Sequence, residues 1–144
     1  MSAEKIVHQV YLGLGSNQGD RLGQITRAIE LIGERVGRVV RQSTLIETDP
    51  WGFTSGNKFL NGAILVETEL FPRQVLKVTQ QIERELGRWH KGTAYRDRTI
   101  DIDILLYDDI TMDEPDLQIP HPFMYQRDFV LIPLREIQES PTEQ

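Results

Sequence analysis

Two stretches with apolar residues at helical period constrain this chain most, because each must lay one apolar stripe against another layer. In the first, Leu22, Ile25, Ile29, Ile32 and Val36 recur at steps of three and four; Asp20 is placed to cap the helix start and Gly37 its end. In the second, Pro72 suits a first helical position, Val75, Val78 or Thr79, Ile82 and Leu86 carry the stripe, and Gly87 closes it. Strand-like runs surround them: Ile6 to Leu14, Arg38 to Thr48, Lys58 to Thr68 and Arg98 to Tyr107. The order is β-α-β-β-α-β. With 144 residues, a length for one domain, the simplest way to bury these faces is an α+β sandwich of ferredoxin-like type. It has a four-stranded antiparallel sheet with helices packed on it. A short C-terminal extension, "IPHPFMYQRDFVLIPLREI", is expected to hold a short helix, with residues 1–5 and 138–144 as frayed tails.

Composition narrows the partners. There are no cysteines, which excludes thiolate chemistry and cysteine metal sites. The net charge of −6 argues against a general nucleic-acid binder. No apolar run approaches the ~18–20 residues of a membrane span, and the N-terminus lacks the layout of a signal peptide, so a cytoplasmic protein is expected. One basic segment stands out against the acidic average: Arg84, Arg88, His90, Lys91, Arg96 and Arg98 face only Glu85 and Asp97. Such a segment suits a small anionic ligand.

That segment leads into "RTIDIDILLY", Arg98 to Tyr107. At period two, Ile100, Ile102, Ile104 and Leu106 form an apolar face, and Asp101 and Asp103 share the other, roughly 7 Å apart at ~3.3 Å per residue. Aspartate is disfavoured in strands and like charges repel. A solvated edge face is the bland explanation. A magnesium site is the sharper one, because Mg²⁺ takes one or two carboxylates plus substrate phosphates. Two such side chains can also hold two ions ~3.5–4 Å apart. The basic loop upstream favours the metal reading. Arg98 is the best placed of its arginines to meet a polyphosphate.

Other motifs are weaker alone. "GLGSNQGD", Gly13 to Asp20, lacks the endings of a P-loop or a dinucleotide fingerprint and reads as a tight turn between strand and helix. His121 lies between two prolines with Arg127 six residues on. By residue type Phe59 and Phe129 read as core. Trp51, in the Gly/Pro-rich "DPWGFTSGN", suits a loop that covers a flat ligand.

Taken in order, "GLGSNQGD", "ETDPWG", "FLNGAILVET", "RTIDIDILLY" and "IPHPFMYQRDFVLIPL" resemble the 6-hydroxymethyl-7,8-dihydropterin pyrophosphokinases of folate biosynthesis, from about Val7 to Ile137. The resemblance implies transfer of diphosphate from ATP to the pterin's hydroxymethyl group, with AMP released and two Mg²⁺ ions required. By the same resemblance Asp101 and Asp103 hold the metals. Arg88 and Arg98 assist transfer, with Asp103 the candidate base. Gln80, Glu83, Arg98, Ile104, His121 and Arg127 line the nucleotide site. Thr48, Trp51, Phe59, Asn61, Tyr95 and Phe129 form the pterin pocket, in which Phe59 and Phe129 sandwich the ring and Asn61 reads its polar edge. A monomer acting on small molecules is expected.

The basic loop departs from the family pattern. Arg96 and Asp97 precede the strand arginine, Tyr95 stands where Trp is common, and His90 and Ala94 replace basic positions. Residues 17–21, 49–57 and 88–97 are expected to be mobile loops that close over the ligands. Two rivals are another Mg²⁺-dependent nucleotide enzyme, such as a nucleotidyltransferase, and a non-enzymatic regulatory domain. Neither accounts for both the paired acids and the set of Trp51, Phe59, Asn61 and Phe129.

Overall fold

The computed structural model describes residues 6–49, 56–87 and 100–138. In chain order these form β1 (His8–Ser16), α1 (Arg21–Arg35), β2 (Gly37–Gln42), β3 (Ile46–Thr48), β4 (Phe59–Thr68), α2 (Pro72–Gly87) and β5 (Asp101–Tyr107). There follow β6 (Met112–Glu114), β7 (Leu117–Ile119), a 3-10 turn (Met124–Gln126) and α3 (Asp128–Gln138). The main sheet is antiparallel, in the order β2-β4-β1-β5, with β3 also paired to β4; β6 and β7 form a separate hairpin. Five strands appear where four were expected because the second run is broken at Ser43. There the Ser43 hydroxyl accepts the Ala63 N–H at 2.9 Å while the Ser43 N–H donates to the Ala63 carbonyl at 2.9 Å. A side chain thus stands in for a strand carbonyl, and the strand resumes at Ile46.

The first face of the sheet is covered by α1 and α2. Asp20 caps α1 as expected, its carboxylate accepting the Gly23 N–H at 3.0 Å. Ile25, Ala28, Leu31 and Ile32 are buried against Val10, Leu12, Leu14, Ile64, Val66, Ile102 and Ile104, with Val75 and Ile82 from α2. Each large aliphatic side chain here contributes about 1.5–3 kcal/mol by leaving water. Two expectations change. Leu22 is 58% exposed and lies off the buried stripe. Gly37 is no helix cap but the first residue of β2, where any Cβ would collide with the Glu67 carbonyl. Val36 ends the helix in right-handed conformation, its N–H reaching the Ile32 carbonyl at 2.8 Å.

The second face is covered by α3, longer than the short helix expected. Ile137 packs on Ala63 and Leu65, and Leu134 packs with Leu105 and Met124. Glu136 accepts the Thr44 N–H and hydroxyl, and Arg41 donates to the Ile137 carbonyl at 2.7 Å, so the helix end is tied to the broken second strand. Pro133 lies inside α3; with no N–H it leaves the Phe129 carbonyl, four residues back, without its usual helical donor.

A bulge reassigns the residues of β5. Leu12 pairs with Ile104 but Tyr11 pairs with Leu106, which leaves Leu105 as the extra residue. Leu105 and Leu106 both pack on the second face with Tyr11 and Val130, and Tyr107 returns to the first. Leu106 therefore leaves the apolar face expected of it. The face consists of Ile100, Ile102, Ile104 and Tyr107.

Tyr107 fastens the end of the sheet where β1 begins and β5 ends. Its hydroxyl donates to the Leu70 carbonyl at 2.6 Å, and its ring lies 5.1 Å from that of His8, which is bonded to Asp108 at 2.7 Å. Among the described residues no helix is long and apolar enough to cross a membrane. Burial, reinforced by the Asp108 charge, pushes the Tyr107 phenol up to about 12. The folded chain keeps a proton that the unfolded chain, with a tyrosine near 10, gives up. This part of the stability is present below pH 10 and lost as the pH rises toward 12. Urea unfolding across that range should show the loss, and Tyr107→Phe should flatten it while lowering stability at neutral pH by about 1 kcal/mol.

Candidate functional site

The site lies on the second face, at the end of the sheet opposite Tyr107, and its floor is set by register. Gly15 of β1 pairs with Asn61 of β4 on one side and Asp101 of β5 on the other; Gly13 pairs with Ala63 and Asp103. Ile46 pairs with Asn61 and Thr48 with Phe59. Ile46, Asn61, Gly15 and Asp101 thus form one row across four strands, all on the same face. With strands ~4.8 Å apart, the backbones of Asn61 and Asp101 are roughly 10 Å apart across Gly15. The strand expected to end at Leu14 instead runs on through Gly15 to Ser16, where a turn was expected. Gly15 is needed for close approach. A Cβ on Gly15 would lie 2.7 Å from the Asn61 Oδ1 and 3.5 Å from the Phe59 ring.

Asn61 is 5% exposed and its Nδ2 donates to the Thr48 hydroxyl at 2.6 Å, which fixes the amide plane. Phe59 is half-buried beside it. The strand start that carries both is held from below. Asn17 donates to the Asn57 carbonyl at 3.2 Å and Arg21 to the Lys58 carbonyl at 2.8 Å, while Arg21 also pairs with Glu47 at 2.8 Å. Gly13 and Gly15 were missed as site residues, and Asn17 and Arg21, expected only as parts of a loop over the ligands, instead anchor the start of β4. The signal for the glycines was present: Val10, Leu12 and Leu14 alternate with Tyr11, Gly13 and Gly15, a strand pattern continued through the glycines.

A second group comes from the segment between β7 and α3. The His121 N–H donates to the Leu105 carbonyl at 3.0 Å, so this segment is fastened to β5 at the bulge. The His121 Nδ1 accepts the Phe123 N–H at 3.4 Å; this assigns the ring proton to Nε2, which becomes the available donor. Burial chiefly, then the Arg127 charge, hold His121 below the usual histidine range, opposed by Asp101. Arg127 is buried, with its guanidinium 5.2 Å from the Phe123 ring centroid and 5.7 Å from that of Phe129. A guanidinium so placed is a fixed, poorly hydrated cation.

The remaining expected residues divide. Glu83, half-buried on α2, accepts the Ile102 N–H at 2.7 Å, between the two aspartates. Gln80 is exposed on the same helix. The Ile104 side chain lies in the first-face core, away from the aspartates. Its backbone groups point away from β1, because the Ile102 N–H does so and the direction repeats every second residue. Arg88, Arg98, Trp51 and Tyr95 lie outside the described residues, as does most of the loops at 49–57 and 88–97. The structure thus brings together Thr48, Phe59, Asn61, Asp101 and Asp103 on one face, with His121, Arg127 and Phe129 grouped beside α3.

The chain matches the family model described as 7,8-dihydro-6-hydroxymethylpterin-pyrophosphokinase over residues 11–139. It is 48% identical to a 2-amino-4-hydroxy-6-hydroxymethyldihydropteridine pyrophosphokinase of Porphyromonas gingivalis, covering 92% of this chain and 96% of that one. It is 43% identical to the Aquifex aeolicus protein of the same name, covering 91% and 81%. Among solved structures, an HPPK-DHPS chain in complex with substrates superposes with a TM-score of 0.72 at 14% identity, over 90% of this chain and 40% of the longer one, a likeness of fold.

The glycine floor can be tested without a ligand. Gly15→Ala should destabilise the protein by about 1–3 kcal/mol through overpacking against Asn61. Adding Asn61→Ala should return part of that loss, a coupling of about 1 kcal/mol in a double-mutant cycle read by urea unfolding.

Proposed function

The chain belongs to the 7,8-dihydro-6-hydroxymethylpterin-pyrophosphokinase family and transfers a pyrophosphoryl group to hydroxymethyldihydropterin in folate biosynthesis; from that premise we propose which of its residues do the work. The observation that carries the assignment is the row Asn61–Gly15–Asp101. It sets an amide that can read a flat ring on one side of a strand with no side chain of its own there, and a pair of carboxylates on the other.

The pterin lies on the Asn61 side. Its hydrogen-bonding edge meets the Asn61 amide, held in orientation by Thr48. Its flat face stacks on Phe59, with Phe129 of α3 on the opposite side and Trp51 and Tyr95 completing the pocket. ATP lies on the β5 side, with Gln80 and the outward backbone of Ile104 near its base and sugar. The Nε2–H of His121 and the fixed charge of Arg127 meet phosphate oxygens, and the neutral imidazole serves as a hydrogen-bond donor.

Asp101 and Asp103 fit divalent cations. Both are half-buried oxygen donors on one face, and their partners on β1 are glycines, so no side chain from that strand stands beside them. Among the described residues no group of three or more histidines or carboxylates gathers into a complete cage, which suits an ion whose shell is finished by water and phosphate. Asp101 and Asp103 would hold two Mg²⁺ ions, which would neutralise charge on the phosphates and acidify the attacking hydroxyl. Asp103 takes the hydroxyl proton as that oxygen bonds to the β-phosphorus and the bond to the AMP oxygen breaks. Arg88 and Arg98 neutralise charge as it develops. The sheet order and the paired helices on one face support a ferredoxin-like sandwich acting as a single domain. A cytoplasmic monomer is the simplest setting for it.

The test is to mix protein, Mg²⁺, ATP and the reduced pterin alcohol and follow AMP. Pterin-dependent AMP is expected; none would refute the assignment. Asp103→Asn should lower kcat by about 10² or more, and Phe59→Ala should mainly raise the pterin KM by about tenfold.

A further inference from the structure

We propose that Glu83 is a positioning residue that locks the aspartate strand from its outer edge, rather than a contact to the nucleotide. β5 comes last in the strand order, so one edge is held by β1. The Ile102 N–H turns away from that edge to the Glu83 carboxylate at 2.7 Å. Alternation then makes Asp101 with Gly15, and Asp103 with Gly13, the hydrogen-bonded pairs to β1. The residue between them is held by α2. The two carboxylates are thereby fixed from both edges, on a strand whose like charges would otherwise favour splaying. Glu83 is half-buried, and α2 is itself anchored in the core by Val75, Thr79 and Ile82, so the clamp is rigid. Downstream, the backbone of β5 is held at the Leu105 carbonyl by His121. Glu83 is the matching restraint on the metal half of the strand.

The inference rests on the reading of Asp101 and Asp103 as cation ligands, but its first readout needs no metal. In metal-free protein, amide exchange at Ile102 should be about tenfold faster in Glu83→Ala and close to wild type in Glu83→Gln, whose amide oxygen still accepts the N–H. The Val66 amide, deep in the core, should not change in either. The second readout is Mn²⁺ binding, by electron paramagnetic resonance, with a non-hydrolysable ATP analogue present. Glu83→Ala should weaken it about tenfold and Glu83→Gln should restore most of the loss. Unchanged Ile102 exchange in Glu83→Ala, a matching change at Val66, or Glu83→Gln as weak as Glu83→Ala would overturn the proposal. Asp101→Asn is the control: if it leaves Mn²⁺ binding intact, the metal reading fails and this inference with it. If Asp101→Asn abolishes binding and Glu83→Ala does not weaken it, only the role of Glu83 falls.

Discussion

Strand β1 must serve two faces at once, and the rest of the structure depends on how it does so. Val10, Leu12 and Leu14 point into the core beneath α1 and α2 and are 3% exposed or less. On the other face the same strand carries Tyr11, then Gly13 and Gly15. Tyr11 packs beneath α3, while the glycines leave the space above them to their neighbours, Leu105 at Gly13 and Asn61 with Phe59 at Gly15. Because the side-chain period of a strand is two, neither pattern can shift without destroying the other. The buried leucines therefore hold the glycine floor in place, and the floor aligns Asn61 with Asp101.

The two ends of the sheet divide the labour. One end is closed by side chains that bond across it: Tyr107 to the Leu70 carbonyl, His8 to Asp108, and Arg73 of α2 to Glu114 and Asp116 on the β6–β7 hairpin. The other end gathers polar groups whose partners are mostly backbone, as with Asn17, Arg21 and His121. Backbone anchors fix the strand ends that carry Phe59, Asp101 and Asp103. Ligand-binding ends are commonly built this way, on a rigid scaffold with loops at one rim.

Helices α1 and α2 and the third strand were legible in the sequence because their central patterns were unambiguous. Asp20, the spacing from Ile25 to Ile32, and Pro72 to Gly87 each admit one reading. The errors fall where a pattern admits two. In "ILLY" every residue from Ile104 to Tyr107 is apolar, so alternation cannot reveal that the phase shifts at Leu105. Glycines in "GLGS" serve equally a turn and a strand packed closely against a neighbour, and the choice is made by Asn61, far away in sequence. The break at Ser43 depends on a hydroxyl replacing a carbonyl, which no periodicity records. The aspartate pair stood out because two acids on a buried-looking strand conflict with local preference, and such conflicts concentrate at functional sites. The roles of Glu83 and Arg127 were less legible, since each depends on a tertiary contact: one with a backbone N–H nineteen residues away and the other with two phenylalanine rings.

The claim on which this account turns is that Asp101 and Asp103 hold divalent cation beside a flat substrate resting on the glycine floor. The most direct measurement is anomalous diffraction from crystals grown with Mn²⁺, a non-hydrolysable ATP analogue and the pterin alcohol. The account predicts manganese peaks ~2.1–2.2 Å from the Asp101 and Asp103 carboxylate oxygens, with the ring between Phe59 and Phe129 against Asn61. Manganese bound to the phosphates but away from both aspartates would contradict it.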